Sequence, residues 1–275
     1  MHNTKILTVQ DISCYGQCSI TVALPILSAF GFETAILPSA ILSTHTSGFK
    51  NYTVHDLSDE IPLIVNHWMD EHIKFDVLYS AYLGDTKHID LVLKIKDKLL
   101  KEGGLFLVDP VMGDNGKLYP AFNSDYVEAM KRLVKNADII IPNLTEACFL
   151  VGETYKTHYD ESYIKNILNK LKTMGAKNIV LTGVEYNNGK IGIASLDDGE
   201  YHYYEHKKIA KSYHGTGDIY TSSFLGEYLK HHDIDKAIKL AASFVVSSIE
   251  NTIDDETHNY GVKFEPMLSK YIGGE

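Results

Sequence analysis

Cysteine is scarce in this sequence, with three residues in 275, Cys14, Cys18 and Cys148. Three thiols cannot all pair with one another, so a disulfide framework is excluded and a reduced, cytoplasmic setting is expected. Positive charge is in deficit: 26 Lys+Arg stand against 36 Asp+Glu, a formal net charge of −10. No Lys/Arg-rich run interleaved with aromatics offsets that balance, which argues against nucleic acid as a partner. No apolar stretch approaches the ~18 residues that span a bilayer. The start, Met1 to Lys5, lacks the basic and apolar parts of an export signal. Neither membrane insertion nor export is expected. Internal repeats, low-complexity tracts and Pro/Gly linkers are missing too, so one domain over residues 1–275 is expected.

Two nucleotide signatures are also missing. The turn after the first apolar run reads Gln10-Asp11-Ile12-Ser13-Cys14-Tyr15-Gly16, which is not Gly-x-Gly-x-x-Gly. Gly183 to Lys190 is one residue too long for a P-loop and lacks its Ser or Thr, so Asn188-Gly189 reads as a turn and Lys190 as solvated. Cys14-x-x-x-Cys18 has loose metal-like spacing, but no partner pair with zinc geometry follows.

What is present is globular material, 44% hydrophobic and 23% charged, which excludes disorder and coiled coil as global descriptions. Ile6 to Val9 predicts a strand stopping at Gln10-Asp11, Ser19 to Phe30 a helix, and Thr34 to Leu37 a strand closed by Pro38. Ser39 to Tyr52 reads as an ordered loop or small flap. Helices are expected over Leu57–Glu71 and His88–Leu100, the second with a stripe of Ile89, Val92, Leu93 and Lys96 and ended by Gly103-Gly104. Strands at Val77–Ser80, Leu105–Val108, Ile139–Ile141 and Ile179–Thr182 alternate with helices at Tyr126–Val134 and Ile164–Met174. Ile191–Leu196 and Tyr201–Tyr204 flank Asp198-Gly199 as a hairpin, and helices follow at Asp218–Leu229 and Ile234–Asn251. This alternation predicts an α/β fold with a mostly parallel central sheet covered on both faces.

Polar residues collect after the predicted strands: Asp11 and Ser13, Asp109 and Asp114, Asn143 and Glu146. In an open parallel sheet such ends line one crevice, although each residue alone also reads as a helix cap. The sharpest local feature is His214-Gly215-Thr216-Gly217-Asp218 before a helical stretch. Amide N–H groups at a helix start stabilise an anion. A carboxylate at the edge of such a cradle repels a static phosphate but suits the removal of a proton from an attacking hydroxyl. The ordinary alternative is a Gly-rich turn with Asp218 as an N-terminal helix charge. Lys207, Lys208 and Lys211, just before the cradle, read either as phosphate contacts or as solvated surface.

Asp109-Pro110-Val111-Met112-Gly113-Asp114, Asn143-Leu144-Thr145-Glu146 and Gly215-Thr216-Gly217-Asp218 stand in the order and at the separations of the ribokinase-like superfamily. With Ala23-Leu24-Pro25, Gly31, Ser43-Thr44-His45-Thr46 and Ser80-Ala81-Tyr82-Leu83-Gly84, the chain resembles the pyridoxal kinases from Ile6 to about Asn251. The resemblance implies a three-layer α/β/α fold with a small flap over the substrate site. It implies ATP-dependent phosphorylation of the 5′-hydroxymethyl group of a vitamin B6 vitamer (pyridoxal, pyridoxamine or pyridoxine), with Mg²⁺ alongside ATP, and it admits a monovalent cation. Asp218 would be the base, and the amides of Gly215, Thr216, Gly217 and Asp218 would hold the transferring phosphate. Asn143 and Glu146 would organise Mg²⁺ with Asp109 and Asp114, and Thr182 would lie on the nucleotide side; Lys208, placed by its position before the cradle and not by the resemblance, is counted with it. Asp11, Ser13, Thr46, Ser47 and Tyr82 would meet the vitamer. A homodimer is implied by the resemblance alone.

Two departures keep alternatives open. Many pyridoxal kinases have Ser-His where this chain has Asp11-Ile12, and a carboxylate there suits a ring nitrogen, hydroxyl or exocyclic amine. His214 is similar to the hydroxymethylpyrimidine kinases of thiamine synthesis, which typically carry Cys in place of Asp218. A pyrimidine kinase and a non-catalytic vitamer-binding relative therefore stand beside the B6 kinase; the Asp favours the last.

Overall fold

The computed structural model describes residues 4–46, 48–186 and 189–272. In chain order the elements are β1 (Lys5–Ser13), α1 (Ile20–Ala29), β2 (Glu33–Leu42), β3 (Val54–Asp56), α2 (Glu60–Asp70), β4 (Phe75–Ser80), α3 (Thr86–Leu99) and β5 (Leu100–Val108). Then follow β6 (Gly113–Asp114), β7 (Lys117–Leu118), α4 (Ser124–Lys135), β8 (Ile139–Ile140), α5 (Leu144–Val151) and α6 (Glu161–Met174). The chain ends through β9 (Asn178–Val184), β10 (Lys190–Asp197), β11 (Glu200–Lys207), α7 (Thr216–His231), α8 (Ile234–Glu250) and α9 (Glu265–Tyr271). Contacts group Met1–Leu63 with Ile209–Glu275 as one compact unit and Ile64–Lys208 as another.

In the first unit β1 runs parallel to β2, and β3 pairs antiparallel with β2. The buried face of α1, with Val22 and Ile26, joins Ile219 of α7, Phe244 of α8 and Phe264 in one apolar cluster. Each such side chain contributes about 1.5–3 kcal/mol by leaving water, which fixes the helix carrying Asp218 against the helix that follows β1. Two expectations need correction here. β1 does not stop at Gln10-Asp11: it continues through a bulge between Gln10 and Ile12, so Asp11 and Ser13 lie in the strand and not beyond it. β2 likewise runs through Pro38 to Leu42. On the β3 side the proline is tolerated because β3 pairs only with Ala40–Leu42, while on the other side Pro38 stands opposite Gln10 of β1, next to the bulge.

The second unit carries strands in the order β11-β10-β9-β8-β5-β4, with β4, β5, β8 and β9 parallel and β10 and β11 antiparallel additions. Asp198 and Gly199 both have positive φ, 45° and 94°, giving the left-handed turn that a two-residue hairpin requires. Lys190 is exposed and ion-paired with Glu205; Asn188 lies outside the described residues. Gly103-Gly104 do not end α3, which stops at Leu99. They sit inside β5, where the register against β4 jumps from Phe75↔Leu100 to Val77↔Leu105. The buried face of α3 is completed by Ile95 and Leu99, with Leu93 and Lys96 only half-buried. Two helices, α5 and α9, were not anticipated by periodicity. Strands alternating with helices and mostly parallel pairing bear out the α/β expectation. Among the described residues no helix is long and apolar enough to cross a membrane.

Candidate active site

In the second unit the chain leaves β5 at Asp109, whose N–H donates to the Ser80 carbonyl at the end of β4 (2.9 Å). Asn143 caps α5 in a reciprocal capping box: its Oδ1 accepts from the Glu146 N–H (2.9 Å), and Glu146 Oε2 accepts from the Asn143 N–H (2.8 Å). The other Glu146 oxygen accepts from the Met112 N–H (3.1 Å), and Asn143 Nδ2 donates to the Gly113 carbonyl (2.9 Å). Met112 and Gly113 of the Asp109–Asp114 string are thereby tied to the two ends of the Asn143–Glu146 string. Burial pushes the Glu146 carboxyl well above the ordinary range and the nearby Asp109 charge raises it further, while the Asn143, Met112 and Gly113 amides pull it down. Two buried carboxyls in mutual repulsion form a hard oxygen donor set of the kind Mg²⁺ accepts. Among the described residues no three His, Cys, Asp or Glu side chains converge as a complete cation cage, so such an ion would complete its shell from phosphate and water oxygens.

The remaining residues expected in this unit sit around that centre unequally. Thr182 is joined to it by backbone: its N–H donates to the Pro142 carbonyl (2.9 Å), and it bridges Asn143. Asp114 is exposed at the β6–β7 turn, where it accepts from the N–H and amide of Asn115 (2.8 and 2.9 Å). Tyr82 packs against Phe122 (5.6 Å between ring centroids). Lys208 is exposed and bound to Glu185 (2.8 Å), which gives it an ion-pair partner on the surface.

In the first unit Gly215 adopts φ 78° at the start of α7, and a Cβ there would lie 1.9 Å from the Gln17 carbonyl oxygen. Only glycine permits this approach. No side chain caps α7, so the amides of its first turn stay available to an anion. At Gly217 a Cβ would meet nothing within 4 Å, which leaves open space beside those amides. Asp218 Oδ2 accepts from the Ser19 N–H (2.9 Å). Burial pushes the Asp218 carboxyl up from 3.8 to about 7, the Ser19 amide pulls it down, and the charge of Asp11 raises it.

Asp11 is buried and accepts from the Ser13 hydroxyl (3.0 Å), and burial also raises its pKa. The Cys18 thiol, between these carboxylates, is pushed up by burial and by the charges of Asp218 and Asp11. It is held as an inert thiol. Asp11, Ser13 and Asp218 are thus brought together. The flap leaves β2 through paired bonds between Ser43 and Thr53 (3.0 and 2.9 Å), and the His45 N–H donates to the Tyr15 carbonyl (3.2 Å). His45 packs on Phe49 and on His214 (5.0 and 5.4 Å). Thr46 is exposed on this flap; Ser47 lies outside the described residues. Sequence reasoning missed Gln17 and Ser19, which act on the site through backbone atoms. Only the position of Ser19 directly before a helix marked it, and that signal points to its hydroxyl, not to its N–H.

An uncapped helix start beside a raised carboxyl, and elsewhere a buried acidic pair, suit phosphoryl transfer. A family model described as phosphomethylpyrimidine kinase matches residues 39–263. The chain is thus a ribokinase-like phosphotransferase with an alcohol group as acceptor. It is 30% identical to a pyridoxal kinase of Dictyostelium discoideum, over 93% of this chain and 87% of that one. It is similar to the crystal structure of pyridoxal kinase from Lactobacillus plantarum, with TM-score 0.90, 32% identity, and 98% and 97% of the two chains covered. It is also similar to a Bacteroides thetaiotaomicron protein described as a phosphomethylpyrimidine kinase, in a crystal form with pyridoxal. There the TM-score is 0.92, the identity 34%, and the coverage 98% and 95%. The chain belongs to the pyridoxal kinase family.

Proposed function

We propose that this protein transfers the γ-phosphoryl group of ATP to the 5′-hydroxymethyl group of a vitamin B6 vitamer. The observation that carries the reading is Asp218 itself, a carboxyl poised at about 7 beside the uncapped first turn of α7. As the hydroxyl oxygen bonds to the γ-phosphorus, its proton passes to Asp218 and the bond to the β–γ bridging oxygen breaks, releasing ADP. The amides of Gly215, Thr216, Gly217 and Asp218 receive the charge on the transferring group. Glu146 and Asp109, with Asn143 and Asp114, would hold Mg²⁺, which when bound neutralises phosphate charge. Thr182 and Lys208 are assigned to the nucleotide, and Asp11, Ser13, Thr46, Ser47 and Tyr82 to the vitamer. The chain, residues 1–275, is read as one kinase domain.

The family description and His214 favour a second reading, in which hydroxymethylpyrimidine is the acceptor. Steady-state assays with pyridoxal, pyridoxamine, pyridoxine and hydroxymethylpyrimidine, each with ATP and Mg²⁺, separate the two. A dominant kcat/KM for a B6 vitamer is expected, and a dominant value for the pyrimidine would reverse the assignment. Asp218→Asn is expected to lower turnover by roughly 10² to 10⁴ with ATP binding retained. Near-normal turnover in that variant would remove Asp218 as the base.

A further inference from the structure

Gln17 is gripped by the segment that follows α8. Its N–H donates to the Tyr260 carbonyl (2.9 Å), its Nε2 donates to Glu265 Oε1 (2.6 Å), and its Oε1 lies 2.8 Å from His258 Nε2. Only an NH₂ group can donate to Glu265, so the amide oxygen faces His258, and that ring carries its proton on Nε2. The grip is also steric: a Cβ on Gly261 would come within 2.6 Å of the Gln17 Cβ. On its other side Gln17 meets the phosphate cradle, since its carbonyl is the atom that a side chain at Gly215 would strike. Two residues later the Ser19 N–H donates to Asp218.

We propose that Gln17 is a positioning residue for phosphoryl transfer, through which the segment from His258 to Glu265 sets the height of residues 17–19 against Gly215 and Asp218. The inference rests on the reading of Asp218 as the base. An amide that only stabilised the fold would need no contact with the cradle; Gln17, half-buried, has side-chain anchors on the segment and a backbone seat under Gly215. Loosening the anchors lets the Ser19 N–H drift from Asp218, and that N–H is what offsets burial at the carboxyl. The titratable groups facing Asp218 are Asp11 of β1 and the Cys18 thiol, and those facing His258 are Lys263, Asp255, Glu265 and Tyr260, whose ring lies 4.1 Å away.

The test compares Gln17→Met, which keeps the stem and removes the polar anchors, with His258→Phe, which keeps the ring against Tyr260 and removes one bond. Both are measured beside Asp218→Asn, with thermal melting as the check on folding. For Gln17→Met the expected result is a fall in kcat of about tenfold with KM for ATP within about twofold, and an acidic limb of the kcat profile displaced to higher pH. His258→Phe moves the same quantities in the same direction by less. It decides the matter if Gln17→Met fails to fold. Wild-type kcat and an unmoved acidic limb in the folded variants overturn the positioning role while an inactive Asp218→Asn leaves the base in place. A fully active Asp218→Asn overturns both.

Discussion

Asp218 retains, near neutrality, a proton that an aspartate in water would have lost. With its pKa at about 7, the fraction of enzyme able to accept a proton rises as pH rises through that value, so kcat/KM is expected to show an acidic limb near neutrality. The same shift bears on stability with the opposite sign. Between 3.8 and about 7 the folded chain binds a proton that the unfolded chain has released, so folding stability falls as pH rises across that window. Asp218→Asn removes the buried charge. At pH 8 it is expected to be more stable than wild type by about 1–2 kcal/mol, after allowance for partial solvent screening, while nearly inactive; urea titration of the two proteins checks this. Asp11 works in the same direction through its charge. Asp11→Asn is expected to carry the acidic limb of the kcat/KM profile to lower pH, and an unmoved limb would show that the carboxylates do not communicate.

At the scale of elements, α5 is the short helix on which the acidic centre depends. Asn143→Ala removes both the cap and the bond to Gly113. A loss of about 1–2 kcal/mol in unfolding free energy, read by urea titration, is expected, together with reduced turnover because Glu146 loses its reciprocal partner. The sequence shows why α5 escaped notice: Leu144–Val151 is nearly continuous apolar with a small amphipathic contrast, and its buried face includes Thr145 and Glu146. Periodicity detects a helix with one wet side, which α5 lacks. The long β–α alternation was legible because α3, α4 and α6 each keep such a side. Local punctuation misled where pairing decided the outcome, as with Pro38 on a half-paired strand and Gly103-Gly104 inside a register jump. Of the site, the residues acting through side chains, Asp218, Asn143 and Glu146, stood out by motif. Gln17 did not, because its partners lie 241 and 248 positions away and nothing nearby announces them.

For the molecule as a whole, the formal charge of −10 opposes an anionic nucleotide at distance even if local amides and Mg²⁺ favour it at contact. Long-range repulsion is what salt screens. The second-order rate constant for ATP is therefore expected to rise modestly, by about twofold, between ~20 and ~150 mM NaCl, measured with Mg²⁺ in fixed excess. A fall over that range would indicate a cationic attracting surface. Lys208, the one cation assigned to the nucleotide, is bound by Glu185, which weakens any such attraction.

Gly217 stands in a helical first turn, outside the left-handed region, with room around it for a methyl group. Alanine there would fold at least as well, since it restricts the unfolded chain more than glycine does. The residue is therefore a vacancy the fold does not ask for: thermostability optimisation would fill it first, and the filled protein would be sturdier with a narrower mouth for its anion.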